Sequence, residues 1–356
     1  MHSQRRLTQE ILSEENALDA LYEERRAASG ARRERLDKLL DDPGGSARMF
    51  VETLSSPDFK LGPLVVFDRM EGSKLRHIEA PNVMDAVRIR MIARLVENQI
   101  IYRRMIPRSY CPVRGRGGLK LAFDAWRTIR RLLYRNKVWM KSHRGKRYVY
   151  FVKTDIRQFF PSLTKELALR SVAKYIHNPR VLDLIGRLTG EHVTIGSGLS
   201  APLANSVLID IDWKMTGMRG VEGYFRYMDD VLWLFTSKPK AKAALAEYER
   251  EVGELGLRIK PWKIERITSA PVTIGGYKIR PNGIRPSKKI GRHLNRLLDK
   301  IERVGVEGLN RKECAAIASL NGYVSRTHSA GYRRRFRRLD VHRAFSRVGD
   351  NQEVVK

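Results

Sequence analysis

The chain has 356 residues, 69 of them Lys or Arg against 39 Asp or Glu, which gives a net charge of +30 beside an ordinary 42% of hydrophobic residues. That length suffices for a large core and two or three subdomains, and the charge points to a polyanionic partner, nucleic acid foremost. No apolar stretch approaches the roughly 20 residues of a spanning helix, Met1 to Arg6 shows no cleavable signal, and Cys111 and Cys314 lack partners at zinc-finger spacing. A reduced, cytoplasmic setting without membrane contact is expected.

Residues 1–56 read as charged helices, with Leu7, Ile11, Leu18 and Leu21 near one face and a break at Asp42-Pro43-Gly44-Gly45. Their charge suits a solvated face, and the apolar stripe suits docking on the body of the protein or on a partner. Leu64-Val65-Val66-Phe67 predicts a strand, followed by a Gly72-Ser73 turn and a second run opening with Lys74-Leu75-Arg76. Such a Lys-x-Arg pair is also what any exposed strand edge shows. From Asp85 to Met105 the apolar period is helical and carries Arg88, Arg90, Arg103 and Arg104. Ser109-Tyr110-Cys111-Pro112-Val113-Arg114-Gly115-Arg116-Gly117-Gly118 then interleaves glycine with arginine. That pattern either brings backbone close to phosphate at a helix start or makes a flexible basic turn. A helix from Leu119 to Asn136 and a basic hairpin turn from Lys141 to Arg147 follow.

Two runs carry chemistry. The first, Tyr148 to Asp155, is β-prone and ends on an acid; the second, Phe225-Arg226-Tyr227-Met228-Asp229-Asp230-Val231-Leu232-Trp233-Leu234-Phe235, reads as a hairpin with adjacent carboxylates at its turn. One Asp at a hairpin tip needs no function. Two within an apolar run are costly unless cations or hydrogen bonds compensate them. If the strands are sheet neighbours, Asp155 faces Asp229 and Asp230 in an all-oxygen site suited to Mg²⁺, which keeps open positions for substrate phosphates. Between these runs lie a helix from Lys165 to Tyr175 and the stretch Ile195-Gly196-Ser197-Gly198-Leu199-Ser200-Ala201-Pro202-Leu203-Ala204-Asn205. Beyond them come an amphipathic helix from Ala241 to Leu255, the run Leu255 to Lys263, a hairpin at Thr273 to Ile279, and a basic helical remainder containing Arg333-Arg334-Arg335-Phe336-Arg337-Arg338.

Tyr227-Met228-Asp229-Asp230 resembles the catalytic loop of reverse transcriptases, Asp155-Ile156-Arg157-Gln158-Phe159-Phe160 their first acidic motif, and Ile195 to Asn205 their glycine-serine motif. Order and spacing match from about Lys74 to about Ser329. The resemblance implies an α+β right-hand polymerase with an antiparallel palm sheet, a helical N-terminal extension (1–56), fingers (57–147), a catalytic palm (148–275), and a primer-grip hairpin with a basic helical thumb (276–356). It implies catalysis by Asp155, Asp229 and Asp230, with two Mg²⁺ ions, or Mn²⁺ in their place, held by these residues and Ile156. Lys74 and Arg76 then grip the incoming triphosphate, Phe160 excludes a 2′-hydroxyl, Gly196, Ser200 and Asn205 border the nucleotide, and Lys263 meets the departing pyrophosphate. Taken alone, Phe160 reads as core, and Lys263 reads equally as an exposed ion-pairing lysine. Arg114, Arg116, Tyr227, Gly276, Tyr277 and the five arginines Arg333, Arg334, Arg335, Arg337 and Arg338 are the implied nucleic-acid contacts.

The chain departs from the family pattern in three places. Ala86 follows Asp85 where an arginine is usual, Thr194-Ile195-Gly196 stands for Pro-Gln-Gly, and Ser200-Ala201 stands where diversity-generating retroelement enzymes carry Ser-Gln. The implied activity is DNA synthesis from dNTPs on an RNA template, with a non-coding RNA or an accessory protein subunit as further partners. An antiphage defence system, a diversity-generating retroelement and a non-catalytic RNA-binding scaffold are the three roles the sequence leaves open.

Overall fold

The computed structural model describes residues 2–71, 74–97, 101–111, 113 and 115–345. Its first part is helical: α1 (His2–Ile11), α2 (Glu14–Ala27), α3 (Ala31–Leu39) and α4 (Pro43–Ser55). Ser13 caps α2 by accepting the Asn16 N–H, and Glu14, Glu15 and Arg25, Arg26 complement the helix dipole at its two ends. The expected break at Asp42 is the start of α4, because Asp42 accepts the Gly45 N–H and Pro43 takes the first turn. Leu7, Ile11 and Leu21 are buried as expected, whereas Leu18 is half-buried.

The chain continues through a hairpin of β1 (Val65–Glu71) and β2 (Lys74–Ala80), then α5 (Val83–Val96), α6 (Tyr102–Arg104) and α7 (Gly118–Ser142). Helix α7 outruns its expected end at Asn136, since Arg135 to Ser142 contains no breaker before Gly145. Lys141 therefore sits in the helix, and the segment after it joins a helix to a strand rather than two strands. Strand β3 (Tyr150–Asp155) leads to α8 (Phe159–Ser162), α9 (Lys165–Ala173), α10 (Pro179–Arg187) and α11 (Ser200–Gly217). Next come β4 (Gly223–Tyr227), β5 (Asp230–Phe235), α12 (Lys238–Glu254), β6 (Glu265–Arg266), β7 (Val272–Ile274), β8 (Tyr277–Arg280), β9 (Gly283–Pro286), α13 (Lys288–Val304), α14 (Arg311–Val324) and α15 (Ala330–Arg338). The antiparallel sheets and helices give the α+β class expected from the sequence.

The described residues fall into two compact units. One comprises Met1–Pro107, Ile156–Met215 and Glu247–Lys260; the other comprises Arg108–Asp155, Thr216–Ala246 and Pro261–Lys356. In the first unit α2 packs on α4 and α5, and the buried Asn16 amide donates to the carbonyls of Ile11 and Met91, tying α1 and α5 to it. Asp85, at the start of α5, accepts from Arg88, Asn82 and the Gly62 N–H. The arginine absent after this aspartate is thus answered from one helical turn further on, with Arg88 lying over the rings of Phe50 and Phe59.

The second unit holds a four-stranded antiparallel sheet of order β4-β5-β3-β6 and a three-stranded one of order β7-β8-β9. Helix α7 packs Leu121, Ala122, Ala125, Ile129 and Leu132 against Phe151, Phe225, Leu232 and Leu234 of the larger sheet and Ile274, Ile279 and Ile284 of the smaller. Helices α13 to α15 enclose their own core of Leu294, Leu298, Ile301, Ile317, Leu320 and Phe336, with α13 presenting Leu294, Leu297, Leu298 and Ile301 at helical spacing. Among the described residues no helix is long and apolar enough to cross a membrane.

Candidate active site

Register places the acids. β3 and β5 pair antiparallel with Asp155 opposite Asp230, and β4 and β5 pair with Tyr227 opposite Asp230. Side chains alternate along a strand, so Asp155, Asp230, Tyr227 and Lys153 share one face of the sheet. Met228 and Asp229 form the two-residue turn between β4 and β5, and Met228 takes a left-handed φ of 55°. A bulky residue there is a backbone outlier of the kind that clusters at functional sites.

The turn is held from the other face. Arg226 is fully buried, and its Nη1 donates to the Met228 carbonyl at 3.1 Å. Its own backbone is bracketed by residues 108–110: the Arg226 N–H donates to the Arg108 carbonyl, and the Tyr110 N–H donates to the Arg226 carbonyl. On that face Trp233 donates to the Thr154 hydroxyl at 3.0 Å and meets Tyr224 edge-on. The acids therefore rest on a rigid, aromatic base.

Electrostatically the site is acidic. Like charges directly opposite on neighbouring strands are destabilising, and Asp155 and Asp230 are such a pair. Lys153 pairs with Asp230, its Nζ 2.8 Å from Asp230 Oδ1. All three aspartates are half-buried. Among the described residues no three His, Cys, Asp or Glu side chains are already gathered into a metal cage. The donor chemistry is nonetheless that of a hard divalent cation, because three carboxylates converge on one sheet end and supply only oxygen. Ile156, the next residue, belongs to the first unit and bridges to Ile259.

Beside the turn, the Tyr227 hydroxyl interacts with the Cys111 thiol, and burial pushes the pKa values of both groups upward. Tyr277 is buried and stacks on Tyr323 at 5.0 Å, and Gly276 lies against the same Tyr323 ring. Gly118, at the start of α7, has a structural reason distinct from phosphate approach. A Cβ on Gly118 would stand 2.3 Å from the Gly275 carbonyl oxygen, so α7 can meet the β7–β8 turn only backbone to backbone. Arg116 sits in the turn before α7, its N–H donating to the Val113 carbonyl. Arg114 lies outside the described residues, as does the side chain of Lys74.

In the first unit, register sets Arg76 directly opposite Arg69 on the exposed β1–β2 hairpin. Phe160 is half-buried beside the buried Phe159, with ring centroids 5.7 Å apart. Gly196 is pressed onto β2, where an added Cβ would lie 3.2 Å from the Glu79 carbonyl oxygen; the Glu79 N–H donates to the Ile195 carbonyl beside it. Ser200 donates its hydroxyl to the Thr194 carbonyl, and Asn205 is fully buried in α11. The structure thus gives Gly196 and Ser200 a role in seating their loop.

In the second unit Lys263 is exposed and pairs with Glu265 at 3.0 Å. Among the arginines expected to contact nucleic acid, Arg335 is tied to Asp299 and Glu302, Arg338 to Glu302, and Arg333 to the carbonyls of Val324 and Thr327. Arg334 and Arg337 are exposed. Sequence reasoning missed Lys153, Arg226 and Arg69. Strand alternation signals the first two, placing Lys153 on the face of Asp155 and Arg226 on the opposite face; Arg69 needs the hairpin register.

Residues 81–279 match the family model described as reverse transcriptase (RNA-dependent DNA polymerase). No curated protein matches the sequence. Among solved structures, apo telomerase from Candida tropicalis is similar with a TM-score of 0.48 and 10% identity over 75% of this chain and 60% of that one. Its C-terminally truncated form gives a TM-score of 0.44 and 13% identity over 65% of this chain and 56% of that one. The chain therefore spans less than two thirds of the length of either telomerase chain.

Proposed function

The chain belongs to the reverse transcriptase family, and from that premise we propose that it synthesises DNA from dNTPs on an RNA template at the β3–β5 sheet end. The observation that carries this reading is the cross-strand pairing of Asp155 with Asp230 beside the strained Met228-Asp229 turn. In the proposed site the carboxylates of Asp155, Asp229 and Asp230, with the carbonyl of Ile156, would hold two Mg²⁺ ions, Mn²⁺ serving in their place. The chemistry such ions supply is activation of the primer hydroxyl and neutralisation of the departing pyrophosphate.

The chain's own residues then do the rest. Arg226 fixes the turn carbonyl and so fixes where Asp229 stands. Lys153 balances Asp230 and keeps the acidic pair tolerable before substrate arrives. Arg76, with Lys74 and the facing Arg69, supplies the cations that grip the incoming triphosphate. Phe160, the more exposed of two adjacent rings, is the sugar gate, and Lys263 protonates or neutralises the leaving pyrophosphate. Fingers, palm and thumb are assigned to 57–147, 148–275 and 276–356. The departures at Thr194-Ile195-Gly196 and Ala201 favour an antiphage defence setting over a diversity-generating retroelement.

The test is nucleotide incorporation and RNA affinity measured side by side for wild type, Asp155→Asn and Asp229→Asn. Incorporation should fall by at least about a thousandfold, in keeping with the scale of lost electrostatic stabilisation at such sites, while RNA affinity stays near wild type. Near-normal synthesis by either variant would remove the assignment. RNA binding without synthesis in wild type would point instead to a scaffold. For the gate, Phe160→Ala should raise kcat/KM for an rNTP relative to its dNTP by about tenfold or more, the order of discrimination that one steric contact gives. An unchanged ratio would return Phe160 to the core.

A further inference from the structure

We propose that the outer face of α7 is a second nucleic-acid surface, binding the phosphodiester backbone of a strand outside the active site. Between Ala125 and Arg147 the sequence has nine Lys or Arg and no Asp or Glu. At 100° per residue, Arg127, Arg131, Tyr134, Val138 and Lys141 fall within about 80° of one another, on a line about 21 Å long. The opposite side of the same helix is the one packed on the sheet that carries Asp155 and Asp230. This stripe is therefore turned away from the catalytic acids. Arg127, Arg131, Lys137 and Lys141 are all exposed, and none makes an ion pair among the described residues.

Cations left in this state on a folded surface repel one another, and a polyanion relieves that repulsion while releasing its own counterions. The apolar content of the stripe selects among polyanions. Tyr134 is 71% exposed at its centre, with Val138 beside it at 46%. An exposed ring among arginines suits stacking on unpaired bases. A basic helix that lies on membranes needs a free apolar face, and α7 has buried its own in the core. The choice of nucleic acid over an acidic protein rests on the proposed polymerase function.

The experiment compares wild type with the quadruple variant Arg127→Gln, Arg131→Gln, Lys137→Gln and Lys141→Gln, using fluorescein-labelled RNA and DNA hairpins of one sequence with unpaired loops. The log–log salt slope of hairpin affinity should flatten by about 3, four contacts at 0.7–0.9 each. Tyr134→Ala should weaken hairpin binding with the slope unchanged. Extension of a short saturating primer–template should stay at the wild-type rate, which separates this site from the polymerase reading. A control variant with Arg127→Lys and Arg131→Lys should keep the slope, showing that charge rather than packing is read. Equal losses on RNA and DNA would identify the shared backbone as the ligand, and a loss on one alone would identify its source. An unchanged slope would overturn the proposal. So would a loss confined to phosphatidylserine-containing vesicles or to a polyglutamate probe.

Discussion

Helices α7 and α15 are both rich in arginine, yet they treat their charge in opposite ways. In α15 the densest arginine run of the chain is largely answered from within. Arg335 reaches Asp299 and Glu302, Arg338 shares Glu302, and Arg333 closes on two backbone carbonyls. In α7, Lys120 and Arg135 pair with Asp124 and Glu222, but Arg127, Arg131, Lys137 and Lys141 make no ion pair among the described residues. At the sheet end the charge is acidic, with Asp155 of β3 opposite Asp230 of β5 and Lys153 beside Asp230. Charge that finds its partner in the fold holds the fold, and charge left over is available to a ligand. A count of arginines does not separate these two uses; the partners do.

The largest stability effect should come from breaking an answered charge. Arg335 is only 22% exposed at its side chain and joins α15 to α13 through two carboxylates. Arg335→Gln should therefore cost about 2 kcal/mol, the range for hydrogen bonds to charged groups. Arg131→Gln on α7 should stay within about 0.5 kcal/mol, as an exposed substitution without a partner does. Urea denaturation of both variants would check the contrast, and equal costs would erase it.

A smaller effect is expected where burial outweighs an available partner. Glu97, at the end of α5, has its carboxyl pushed up to about 7, first by burial and against the pull of Arg90. The unfolded chain gives up this proton near the ordinary carboxylate value of 4.5, while the folded chain keeps it to about 7. Glu97 thus contributes its full stability below about 4.5, and that contribution is lost as the pH rises to about 7. Glu97→Gln should stabilise the protein at pH 8 and leave it unchanged at pH 4. Because the group remains partly open to solvent, the gain should be on the order of 1 kcal/mol. Thermal unfolding across that pH range is the measurement, and a gain at acid pH would contradict the assignment.

The parts of the site legible in the sequence were those fixed by local pattern. A β-prone run ending on Asp155 and a hairpin bearing Asp229 and Asp230 can be read from alternation and turn chemistry, and the strand pairing between them followed. What escaped depends on distant partners. Nothing near Arg335 announces Asp299 and Glu302, which lie 36 and 33 residues away. Gly196 reads as a place for close approach of a ligand, and it is one of close approach, but to the backbone of β2. Helix α7 ran past its expected end because a basic stretch without Gly or Pro resembles a turn only in composition.

The central claim, that this family member copies RNA into DNA, is tested most directly by extending a DNA primer on a defined RNA template with dNTPs and Mg²⁺, then sequencing the product. The account predicts complementary DNA, dependent on the divalent ion and absent when dNTPs are replaced by rNTPs. Extension indifferent to template sequence, or none despite tight RNA binding, would contradict it.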